Sequence, residues 1–93
     1  MKISEIVWLQ KISEKLSVKH HLTTEEVEEV FAGKPRYRFI ELGEVDGEDV
    51  YSASGRTGAG RYVIVIFILK PRGRALIITA RDMDRKERKL YGK

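Results

Sequence analysis

The chain has 93 residues, 42% apolar and 34% charged, with a net charge of +4 and no cysteine. That length suits a single domain over residues 1–93, and the apolar share argues for a packed core rather than a chain disordered throughout. Without cysteine there is no disulfide framework, thiolate nucleophile or Cys-ligated zinc, which agrees with a cytoplasmic location.

Met1-Lys2 and the mixed stretch after them do not resemble a signal peptide. The longest apolar run, Tyr62 to Leu69, has eight residues, where a bilayer span needs about 20. No membrane association is expected.

In chain order, Ile6 to Trp8 reads as a short extended lead-in. Trp8, Ile12 and Leu16 recur at helical spacing and predict a first helix over roughly residues 9–18. Thr23 and Glu26 form the sequence signature of a capping box, flanked by the staple pair Leu22 and Val27. They start a second helix whose apolar stripe is Val27, Val30 and Phe31. Gly33 and Pro35 stop it. Glu25, Glu26, Glu28 and Glu29 crowd its first turns, where the positive end of the helix dipole favours them.

After Pro35 the period becomes strand-like. Tyr37 and Phe39 alternate with Arg36 and Arg38 in a first strand, and Val45 to Glu48 reads as a turn. Val50 to Ser54 is a second strand, and Gly55 to Gly60 a hairpin connection. Arg61 to Lys70, apolar on both faces, predicts a central strand covered on both sides. Pro71-Arg72-Gly73 is a turn, Leu76 to Thr79 a fourth strand, and Asp82 to Tyr91 a charged closing helix. The expected class is α+β: two N-terminal helices packed on a four-stranded antiparallel sheet, with a C-terminal helix.

The charge is segregated. Residues 1–50 carry 7 basic against 11 acidic side chains, while residues 70–93 carry 9 against 3. A basic C-terminal end steers an anionic partner towards it, and RNA is the expected one.

The Gly-rich stretch lacks the Gly-Lys-Ser/Thr of a phosphate loop and leads into a strand, so it reads as a turn. Lys19-His20-His21 has no metal-ligand spacing. One of its imidazoles is a candidate general acid or base, because imidazole titrates near neutrality. The most informative stretch is Ile78 to Tyr91. A strand delivers Arg81 to its end, and Arg81, Arg85 and Arg88 share one face if the helix begins there. Arginine forks match phosphate oxygens, and Tyr91 offers a stacking ring.

Taken in order, Lys19-His20, Thr24 to Val27, Val30-Phe31, Gly55-Arg56-Thr57, Gly60-Arg61, Ile78 to Arg81 and Glu87-Arg88 with Tyr91 resemble the BrnT family of ribonuclease toxins. The resemblance implies a RelE-like fold, metal-independent RNA cleavage and no cofactor. It also implies a cognate BrnA-like antitoxin with a ribbon-helix-helix domain, in a hetero-oligomer or beside a homodimer. The active surface it implies is Lys19, His20, Arg56, Arg61 and Arg81, with Arg85, Arg88 and Tyr91 as RNA contacts. The chain departs from the family in having Trp8-Leu9 for Trp-Asp, and His21 for the usual Gly or Asn.

The implied chemistry is attack of an RNA 2′-hydroxyl on the adjacent phosphate. Arg81, with Arg56 or Arg61, would face the phosphorane. His20, failing that Lys19 or Glu87, would move protons. The other readings are a catalytically inactive nucleic-acid-binding module and a protein-docking subunit, each using the same basic face.

Overall fold

The computed structural model describes residues 1–45 and 47–92. Asp46 of the predicted turn and the terminal Lys93 lie outside the described residues. The elements run β1 (Glu5–Val7), α1 (Gln10–His20), α2 (Thr24–Ala32), β2 (Arg36–Glu41), β3 (Asp49–Arg56), β4 (Tyr62–Lys70), a 3-10 turn (Pro71–Gly73), β5 (Arg74–Asp82) and α3 (Arg85–Tyr91).

The strands form one sheet in the order β1-β5-β4-β3-β2. The four long strands are antiparallel, as hairpin-length links require. The expectation of a four-stranded antiparallel sheet is corrected, because β1 adds a fifth strand parallel to β5, with Ile6 opposite Ala75. Three residues are too few to show the alternation that marks a strand, so the segment read only as a lead-in.

Strand alternation sorts the sheet residues. Ala53, Val63, Val65, Phe67, Ala75, Ile77 and Ala80 face one side and are buried with Leu16, Leu22, Val27 and Val30 of the N-terminal helices. Both halves of the predicted capping box form: the Glu26 N–H donates to Thr23 Oγ1 at 3.1 Å, and the Thr23 N–H to Glu26 Oε1 at 3.0 Å. The staple residues Leu22 and Val27 are fully buried. Gly55 lets α2 sit close, since a Cβ there would lie 3.0 Å from Val30 Cγ1.

Three of the four glutamates of α2 also have tertiary partners. Glu26 faces Arg61, Glu28 accepts from Trp8 Nε1 at 3.2 Å, and Glu29 accepts from the Gly58 N–H at 3.0 Å. The hairpin connection is thus docked on α2 by its own backbone.

Two boundaries differ in ways that matter for the site. Helix α1 runs on through His20, so Lys19 and His20 form its last turn, and His21 closes it in the left-handed region. Strand β5 runs on through Asp82, so Arg81 is a strand residue and α3 starts only at Arg85. The predicted helical face of Arg81, Arg85 and Arg88 therefore does not form. The start of α3 is signalled by a second capping box, Asp84 with Glu87.

Candidate nucleic-acid interface

The opposite side of the sheet is where expectation and structure part most. Strand β4 is central, but only the short α3 covers its second face. Register places Arg36, Arg38, Ser52, Ser54, Ile64, Ile66 and Arg81 together on that face. They line an open groove, walled on one side by Glu87, Leu90 and Tyr91 of α3 and on the other by β2. The two serines give the floor small side chains where larger ones would fill the concavity.

Arginines and rings alternate along this face and beside α3. Arg81 clasps Glu87 in a two-point contact, with Nη1 to Oε1 at 2.7 Å and Nη2 to Oε2 at 2.8 Å. The Arg56 and Arg88 guanidiniums each lie over the Tyr62 ring, 4.9 and 4.3 Å from its centroid. Tyr91 meets Tyr62 edge to face, and Arg36 lies 5.8 Å from the Tyr91 centroid. Among the described residues, Arg36, Arg38 and Arg56 make no ion pair, and all three are exposed. Arg85 and Arg88 line a second depression beside α3 with Tyr62, Met83 and Lys89.

The structure thus gathers Arg56, Arg81, Arg88 and Tyr91 at one face. It does not bring Lys19, His20 and Arg61 to them. Arg61 points to the helix-covered side, where its guanidinium is taken up by the fold. Nε donates to Asp82 Oδ1 at 2.6 Å, Nη1 to the His21 carbonyl at 2.7 Å and Nη2 to the His20 carbonyl at 2.8 Å. Arg61 therefore ties the end of α1 to the end of β5. Adjacent residues 81 and 82 make their ion pairs on opposite sides of the sheet, as strand alternation demands. His20 sits with Arg61 and Asp82, and Lys19 is exposed on the last turn of α1.

Arg36 and Arg38 of the groove, and Tyr62 of the depression beside it, escaped the sequence reading as site residues. The signal was present in the two-residue spacing of the arginines, which puts both on one face of β2. Among the described residues, no three His, Cys, Asp or Glu side chains are grouped to hold a metal ion. No described helix is long and apolar enough to cross a membrane.

The hydrogen bond from Arg81 lowers the pKa of Glu87, and that from Arg61 lowers the pKa of Asp82. A carboxylate depressed in the folded state stabilises it above the unfolded pKa and loses that contribution as pH falls through the folded one. Stability should therefore decline as pH drops below the ordinary carboxylate range, about 4. Urea midpoints measured from pH 7 to 3 check this. The decline should be shallower in Glu87→Gln, and an equally steep decline there would remove Glu87 from the account.

Comparison with known proteins bears on the family and the fold. The family model described as "Ribonuclease toxin, BrnT, of type II toxin-antitoxin system" matches residues 8–87. The crystal structure of the Brucella abortus ribonuclease toxin, BrnT, at 1.1 Å resolution, superposes with a TM-score of 0.60 at 16% identity, covering 90% of this chain and 100% of that one. At that identity the likeness bears on the fold alone: α+β, with three helices and a five-stranded mixed sheet. No curated protein sequence matches the chain.

Proposed function

The chain belongs to the BrnT family of ribonuclease toxins of type II toxin–antitoxin systems, and from that premise we propose that it cuts RNA in the cytoplasm on its open sheet face, without a metal ion. One observation carries the reading. Arg36, Arg38, Arg56 and Arg81 share a face with Tyr62 and Tyr91, over a floor lowered by Ser52 and Ser54. Phosphates find two-point donors there, and unstacked bases find rings and guanidinium planes.

The RNA 2′-oxygen attacks the adjacent phosphorus, and the bond to the 5′-oxygen breaks. The products are a 2′,3′-cyclic phosphate and a free 5′-hydroxyl. Arg81, on the same sheet face as Arg36 and Arg56, stabilises the extra negative charge of the phosphorane, where preorganised donors act most strongly. Glu87 and Tyr91 are the groups of this face suited to moving protons. Arg81 holds Glu87 ionised, so Glu87 starts as an acceptor. Its lowered basicity limits what it contributes. His20 lies on the other side of the sheet and reaches only a substrate that wraps the sheet end at Asp82. Arg85 and Arg88 extend the contact surface past α3.

Family membership implies an antitoxin. Our reading is a BrnA-like protein with an acidic binding segment, covering the groove in a hetero-oligomer.

The test is incubation of the purified protein with mixed RNA, with and without EDTA. Cleavage to cyclic-phosphate ends that persists in EDTA is expected. Loss of cleavage on chelation would overturn metal independence. Salt-sensitive binding without cleavage would make the chain an inactive RNA-binding module.

A further inference from the structure

Strand β2 is a long, exposed sheet edge, and its outer side carries backbone N–H and C=O groups that no other strand takes up. The opposite edge, β1, is only three residues long, a common way of blunting an edge, whereas β2 has six. The apolar side chains exposed along and just after β2 are unusual. Phe39, Ile40, Leu42 and Val45 are 48%, 44%, 75% and 61% exposed. They make up four of the nine large apolar side chains exposed among the described residues. Such a concentration marks an interaction surface more often than chance.

We propose that the antitoxin docks by adding an extended segment to the β2 edge, with acidic side chains towards Arg36 and Arg38 and apolar ones towards Tyr37 and Phe39. Alternation dictates this pattern. Arg36 and Arg38 lie on the groove side of β2, and Tyr37 and Phe39 on the helix side. A strand added beside them presents its own residues with the same period of two. The bulge between Phe39 and Glu41 ends the regular stretch, so the main-chain ladder runs along Arg36 to Phe39. A second copy of this chain is a poorer occupant, because its own Lys34, Arg36 and Arg38 would come to an edge that is already basic.

The same segment would close the groove, since Arg36, Arg38 and Ile40 belong to both the edge and the groove wall. Docking and neutralisation would then be one event. The proposal rests on the toxin reading only for the class of its partner. Binding is measured without RNA, so failure of docking and failure of cleavage are separate results.

The probe is a synthetic nine-residue peptide of alternating Glu and Val, titrated to millimolar concentration into the full chain and followed by amide hydrogen exchange. Protection of β2 amides is expected to rise by about tenfold or more. Phe39→Lys should weaken binding about tenfold, and N-methylation of alternate peptide bonds should abolish it by removing the main-chain bonds. A Lys-Val peptide should not bind. No protection at β2, equal binding of the N-methylated peptide, or protection centred on α1 and α2 would each overturn the proposal. So would a protein that dimerises in solution and is made monomeric by Phe39→Lys, because the edge would then belong to a second copy.

Discussion

Replacing Arg81 by alanine is expected to lower RNA cleavage by about 10²–10³-fold, the usual cost of removing one preorganised charge-stabilising donor. The fold should survive. The Arg81 side chain is 44% exposed, and the α3 cap stands without it, because Asp84 and Glu87 satisfy each other's N–H groups at 2.9 and 2.8 Å. The loss has two sources. The phosphorane loses its fork, and the Glu87 carboxylate is left facing the groove without its partner, repelling the substrate. Arg81→Lys keeps the charge but not the two-point geometry, so it should fall between alanine and the native residue. Adding Glu87→Gln to Arg81→Ala should recover part of the binding loss. Single-turnover cleavage and growth arrest, alongside thermal unfolding, check these outcomes. A folded Arg81→Ala protein as toxic as the native one would remove Arg81 from the site.

Arg61 is expected to behave differently, although it too is a strand-end arginine that the family resemblance assigns to the active surface. Arg61→Ala should destabilise the protein by about 2–3 kcal/mol, because several charge-assisted hydrogen bonds are lost at once. Its side chain is only 27% exposed, and its loss strands two carbonyls at the end of α1 and the carboxylate of Asp82. For a domain of this size that is a drop in melting temperature of roughly 10–20 °C. Arg61→Lys should recover less than half, since an ammonium cannot reproduce the fork that spans α1 and β5. Cleavage should fall in step with the folded fraction. A variant with native melting temperature and no cleavage would show that Arg61 contacts the substrate instead.

Much of the fold was legible because its signals are local. The Thr23–Glu26 box, the staple pair Leu22 and Val27, and the break at Gly33 and Pro35 each lie within a few residues. The structure forms them as read. The run from Tyr62 to Leu69 announced a central strand, and it is central. What failed were features whose cause lies far along the chain. Strand β1 exists because Ile6 finds Ala75. The second face of β4 is open because the short α3 alone lies on it, and no periodicity within residues 62–70 reports that.

The candidate site divides the same way. The sequence by itself determined that this protein has a basic C-terminal half, that Arg81 ends a strand, and that Arg36 and Arg38 share a face, because charge and the two-residue strand period are properties of the chain alone. Only the tertiary structure decided that Arg81 faces the open groove while Arg61 faces the helices. Alternation sets relative sides within one strand. The register of β4 against β5 and the packing of α1 and α2 over one face settle which side is covered. Those choices leave one strand-end arginine facing the open groove, where we propose that it meets phosphate, and make the other a tie between a helix and a strand.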